Sequence, residues 1–172
     1  MGRRIWIEIF NNNGQKVWDS SANGDHFYGY NQSTDVIANS PRRITSEDNN
    51  RVQFDEWEDY HILRINLKNE QKRLDQVLAK LNIRIEDARE ARRHASTVDA
   101  FYDFTALMEE LIQQRDDTCW TYGDDMLSLM DSAIAECVYL INDFNNADFY
   151  AQDSALNFIH SHGWHLYWVI SE

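Results

Sequence analysis

Alternation opens the chain. From Arg4 to Phe10, Ile5, Ile7 and Ile9 fall on one side and Trp6, Glu8 and Phe10 on the other, the period of two that marks a strand with one buried face. Asn13-Gly14 follows, a dipeptide suited to the positive φ angles of a tight hairpin, so Gln15 to Trp18 is predicted to return as a second strand. Between Ser20 and Arg51 the periodicity vanishes, and Gly, Asn, Ser and Asp gather around the single proline, Pro41. That stretch predicts a long loop, or a loop with one short strand. Val52 to Leu67 resumes the alternation, with His61, Leu63, Ile65 and Leu67 opposite Tyr60, Ile62, Arg64 and Asn66, and predicts a strand near 60–67 after a bend at Trp57.

Helical spacing takes over at about Lys68. Leu74, Val77, Leu78, Leu81, Ile85 and Ala88 form one stripe toward Arg93. Ser96-Thr97-Val98-Asp99 has the hydroxyl-to-carboxylate spacing of a capping box, so a new helix is predicted there, with Phe101, Phe104, Met108, Leu111 and Ile112 inward and Asp103 and Glu110 outward. Asp124 and Asp125 stand where carboxylates meet the free N–H groups of the next helix, 124–144. Its apolar residues, from Met126 and Met130 through Ile134 and Cys137 to Phe144, fill half the helical wheel, which predicts packing against both the sheet and other helices.

Asp153-Ser154 opens a short last helix, Gly163 ends it in the left-handed conformation, and Trp164 to Ile170 forms a closing strand that joins the N-terminal sheet. The expectation is an α+β fold over 1–172 as a single domain. An antiparallel sheet of about four strands (the N-terminal hairpin, the strand near 60–67 and the C-terminal strand) is covered by three or four helices.

A chain of 172 residues, 43% hydrophobic, suffices for one proper core. It has no apolar run of about 18 residues and no leader-like start, and Cys119 and Cys137 show no metal spacing. A soluble, cytoplasmic protein is expected. Charge alters the picture more. Residues 94–172 hold one basic side chain, Arg115, against fourteen acidic ones, and so carry the whole formal charge of −13. Residues 68–93 hold eight basic and five acidic side chains. Such a balance disfavours direct binding of nucleic acid or an anionic membrane, which need Lys and Arg, and favours a basic protein partner.

The candidate partner-binding face comprises Asp103, Glu110, Asp116, Asp117, Asp125, Asp131, Glu136, Asp143 and Asp148. Two plainer explanations stand beside it: charge far from zero keeps a protein dispersed, and the basic helix can neutralise the acidic ones within the fold. Ordinary helices mix signs to gain i to i+4 pairs, and a half that forgoes them points to a negative field of functional use. A duplex strand offers one charge per ~3.4 Å, so one helix alone is too sparse to imitate it.

The tail, SALNFIHSHGWHLYWVI over 154–170, resembles the endings of small uncharacterised bacterial and phage domains, in which a short helix, Gly-Trp and a strand close an α+β fold. The resemblance covers roughly a tenth of the chain and implies no activity; His165 stands where those endings commonly have Glu. In size and charge the chain is similar to phage and plasmid inhibitors that act by nucleic-acid mimicry. This implies a non-enzymatic inhibitor of a basic nucleic-acid-binding nuclease or defence protein, without a cofactor.

Two alternatives compete. His26, Tyr28 and Tyr30, with Trp57 or Trp120 as a stacking wall, suit a small ligand or nucleotide, though aromatics of this kind also tack a loop to a core. His160, His162 and His165 suggest a metal-dependent hydrolase. Yet residues two apart on a helix diverge, and His at a helix C-terminus is favoured by the dipole alone. No glycine-rich phosphate loop, nucleophile elbow or H-E-x-x-H motif is present.

Overall fold

Ile5, Ile7 and Ile9 are completely buried on strand β1 (Arg3–Phe10), as their alternation demands. The computed structural model describes residues 3–29, 32–45, 50–118, 122–142 and 152–172. β1 is followed by β2 (Lys16–Asp19), β3 (Phe27–Gly29), helix α1 (Gln32–Ala38), β4 (Arg43–Thr45), β5 (Asn50–Gln53), α2 (Trp57–Arg93), α3 (Val98–Thr118), α4 (Gly123–Asn142), α5 (Gln152–Ser161) and β6 (His165–Ser171). The fold is α+β, with an antiparallel sheet in the order β2-β1-β6-β5-β4 and β3 also paired to β1. Among the described residues no helix is long and apolar enough to cross a membrane.

The chain groups into two compact units, one made of 1–70 with 122–172 and the other of 71–121. In the first, β6 pairs with β1 from Arg4↔Ser171 to Phe10↔His165, which joins the two ends of the chain as expected. Leu166, Trp168 and Ile170 share the buried face with the three isoleucines. Met126, Met130, Ala133, Ile134 and Cys137 of α4 pack onto that face with Leu156 and Ile159 of α5. On the other face Arg51 spreads its guanidinium over Phe10 and Tyr167, 4.7 and 5.5 Å from the ring centres.

Polar side chains complete the ladders. β2 and β3 lie in succession along one edge of β1, and between them buried Ser20 accepts from the Ile7 N–H at 2.9 Å and donates to the Asp25 carbonyl at 2.8 Å. Where β5 ends, fully buried Asp55 accepts from the Leu166 N–H at 3.0 Å and from His165 Nδ1 at 3.2 Å. Gly14 and Gly163 have φ of 75° and 71°, as the hairpin and the end of α5 require.

Three expectations are corrected here. The sheet has six strands, not about four, and 60–67 is helical: α2 starts at Trp57 and runs 37 residues. Tyr60, Leu63, Leu67 and Leu74 are buried at helical spacing, whereas Ile62 and Ile65 are 43% and 55% exposed. Those two exposed isoleucines created the false alternation. Among its described residues the stretch 20–51 is likewise not one long loop: it holds a 3-10 turn (Ser20–Asn23), β3, α1, β4 and the start of β5. Each is too short for periodicity to register, and the three strands are held by their partners across the sheet.

The second unit is a pair of helical segments. Leu81, Ile85 and Ala88 of α2 bury against Leu111 of α3, with Val77, Met108 and Ile112 beside them. Thr97 Oγ1 accepts from the Ala100 N–H at 3.1 Å and caps α3. Phe101, expected inward, is 44% exposed and lies under the Arg92 guanidinium.

Ile134 is 2% exposed, so Ile134→Ala should lose about 2–5 kcal/mol through the transfer and cavity terms. Ile83, 62% exposed on α2, should tolerate the same change within about 0.5 kcal/mol. Urea unfolding of the two variants checks both.

Candidate functional site

The acidic residues fall into two sets. Asp103, Glu110, Asp116 and Asp117 lie on α3 in the second unit; Asp125, Asp131 and Glu136 lie on α4 in the first. Asp143 and Asp148 lie outside the described residues. At ~100° per residue Asp99, Asp103, Glu110 and Asp117 fall within about 40° of one line along α3, separated by ~6, ~10 and ~10 Å. All four are exposed, and none takes part in an ion pair among the described residues. Asp117 accepts from Gln113 at 2.8 Å, and Asp116 pairs with Arg115 at 3.4 Å. Two arginines of α2 are turned to their own helix: Arg89 pairs with Glu86 and Arg93 with Glu90. Tyr102 and Leu107, 65% and 38% exposed, stand near it.

On α4 the picture differs. Asp131 accepts from the Tyr60 hydroxyl at 2.8 Å and pairs with Arg64 at 3.4 Å, while Arg64 also donates to that hydroxyl at 3.0 Å. This carboxylate is engaged inside the fold. Asp153 at the start of α5 is likewise held: Trp57 donates to it, and His61 lies 2.9 Å away, which together keep its carboxyl below the usual range. Glu172 is held low by Arg43 and Arg3. Asp125 and Glu136 make no ion pair among the described residues.

The structure brings His26 and Tyr28 together in a groove of about 460 Å³ in the first unit, lined also by Trp18, Asp25, Phe27, Tyr122, Asp125, Ser128, Leu129 and Ser132. The rings are set at different tilts. Phe27 and Tyr122 lie 5.3 Å apart at 46°, and His26 and Tyr28 lie 5.0 Å apart at 84°. Trp57 is elsewhere, its ring 4.4 Å from that of His61 and tilted by 60°, beside a smaller groove of about 280 Å³ that His160 also lines. Tyr30 and Trp120 lie outside the described residues.

Trp18, Asp25, Tyr122 and Ser128 were not legible as site residues. The available signal was that Asp125, Ser128 and Ser132 recur at helical spacing just after an aromatic residue.

The tail histidines do not converge. His162 Nδ1 donates to the Phe158 carbonyl at 2.8 Å, and its ring stacks 4.3 Å from Phe158, a helix-end role. His165 turns to Asp55, and His160 lies near Trp57. Among the described residues no group of three or more His, Cys, Asp or Glu is arranged to hold a metal ion. Burial, then the charges of Asp55 and Glu136, push the Cys137 thiol well up, so it is a poor nucleophile.

The fold and these surfaces define an α+β protein with an open antiparallel sheet, an aromatic groove and an acidic helix. No family model matches the chain, and neither a curated protein nor a solved structure does.

Burial and then the bond to the Asp131 carboxylate push the Tyr60 hydroxyl up from 10.0 to about 12. The raised value means that the fold prefers the neutral phenol. Its contribution is whole below pH 10 and is lost as pH rises through about 12. Difference absorbance between the parent and Tyr60→Phe should therefore show a tyrosinate that forms only near the upper value, and the variant should be less stable by about 1 kcal/mol at pH 7.

Proposed function

We propose that this chain is an acidic protein-interaction module that engages a basic surface, with the nucleic-acid groove of a nuclease or defence enzyme as the target class and inhibition as the consequence. The reading rests on the line Asp99, Asp103, Glu110 and Asp117. Like charges at i+4, as at Asp99 and Asp103, weaken a helix, and Arg89 and Arg93 of the same unit pair with Glu86 and Glu90 instead of answering them. A row of unanswered carboxylates projects a negative field that speeds encounter with a basic partner and rejects anionic ones. Tyr102 and Leu107 supply the apolar contact that a charge-led interface needs for residence.

Mimicry of nucleic acid is the finer form of the proposal. Carboxylates at ~10 Å match roughly every third phosphate of one strand, so α3 supplies only a sparse imitation and further acids would have to contribute.

The test uses the chain as bait in host extract at low ionic strength, followed by purification of what it captures. Affinity for that protein should fall steeply as salt rises, a duplex oligonucleotide should compete, and the D103N/E110Q/D117N variant should bind roughly tenfold more weakly. Affinity that is flat across the salt series, or simultaneous binding of chain and duplex, would overturn the proposal.

A further inference from the structure

The aromatic groove of the first unit is chemically selective. Its walls are Trp18, Phe27, Tyr28 and Tyr122, and its rim carries Asp25 and Asp125, neither of which makes an ion pair among the described residues. Ser128 and Ser132 follow Asp125 along α4 at helical spacing, so hydroxyls and a carboxylate line one side and rings the other. A phosphate-bearing ligand meets two carboxylates there, and Asp124 and Asp125 in the first turn offset the positive end of α4. A nucleotide is therefore opposed by the same groove that offers rings for its base.

We infer that the groove is a seat for an arginine side chain of a partner protein. A guanidinium is flat, stacks on aromatic faces and presents a fork of N–H donors matched to carboxylates. A lysine ammonium lacks both the plane and the fork. The volume of about 460 Å³ is ample for the whole side chain. The chain already holds one of its own guanidiniums in a comparable way, Arg51 over Phe10 and Tyr167. The seat belongs to a different unit from the α3 line, and it stands even if that line binds nothing.

The experiment is a titration of isotopically labelled protein, followed by amide chemical shifts, with arginine capped at both termini as the probe. Capped citrulline, the uncharged isostere, and adenosine monophosphate serve as controls. Saturable shifts confined to Trp18 and residues 24–28 and 122–132 are expected. Capped citrulline and the Asp25→Asn/Asp125→Asn variant should each bind at least about tenfold more weakly. Both replaced carboxylates are exposed, so the variant's remaining spectrum should be unchanged. Absence of saturable shifts, equal binding of citrulline, stronger binding of the nucleotide, shifts centred on other residues, or tighter binding of free arginine than of the capped residue would each overturn the assignment.

Discussion

The pairing of β1 with β6 is the constraint on which the rest depends. The two strands run side by side over seven residue pairs, and both are flanked again, β1 by β2 and β3 and β6 by β5. Because side chains alternate across a sheet, this register places Ile5, Ile7, Ile9, Leu166, Trp168 and Ile170 on one face together. A slip of one residue would turn the three side chains of one strand to the opposite face from the three of the other. That apolar face gives α4 its seat, and the half-circle of buried residues on α4 is the complement of it. The contact is also distant in sequence, a separation that raises the entropic cost of closing it and slows folding.

The groove follows from the same arrangement. Two short strands share one edge of β1, and the gap between them is closed by Ser20 rather than by backbone, so the chain is free to swing His26, Phe27 and Tyr28 toward the start of α4. Charge is distributed in a different spirit. Carboxylates on the first unit are largely put to work: Asp55 ends a ladder, Asp131 holds Tyr60 and Arg64, and Asp153 holds His61. Asp99, Asp103 and Glu110 of α3 make no ion pair among the described residues, and the i to i+4 spacing of Asp99 and Asp103 opposes helix stability. The contrast within one chain is the reason to attribute the α3 acids to recognition rather than to folding.

Legibility in the sequence tracked how completely local pattern and tertiary role agree. β1, β6 and α4 carry runs in which most apolar positions are also buried, and they were readable; α3, whose one fully buried residue is Leu111, was readable through its capping residues and helical spacing. The residues 60–67 were misread because Tyr60, Leu63 and Leu67 obey the helical period while exposed Ile62 and Ile65 fill the positions between them. β4, with Ile44 57% exposed, has no buried pattern to betray it; only its pairing with β5 makes it a strand. Among site residues, the excess of acid was plain from counting, but which carboxylates are engaged was not, since the Arg64–Asp131 pair joins positions far apart in the chain. The groove was half visible through His26 and Tyr28, and its other wall depends on where α4 begins relative to β3.

The central claim is that the Asp103 and Glu110 carboxylates of α3 serve no purpose within the fold. Its most direct test is the stability of the Asp103→Asn/Glu110→Gln variant against the parent in urea at low ionic strength. The account predicts a variant at least as stable as the parent, gaining a few tenths of a kcal/mol as repulsion is relieved, with the difference shrinking as salt is added. A variant clearly less stable than the parent would show that those carboxylates hold the helix in place and would contradict the account.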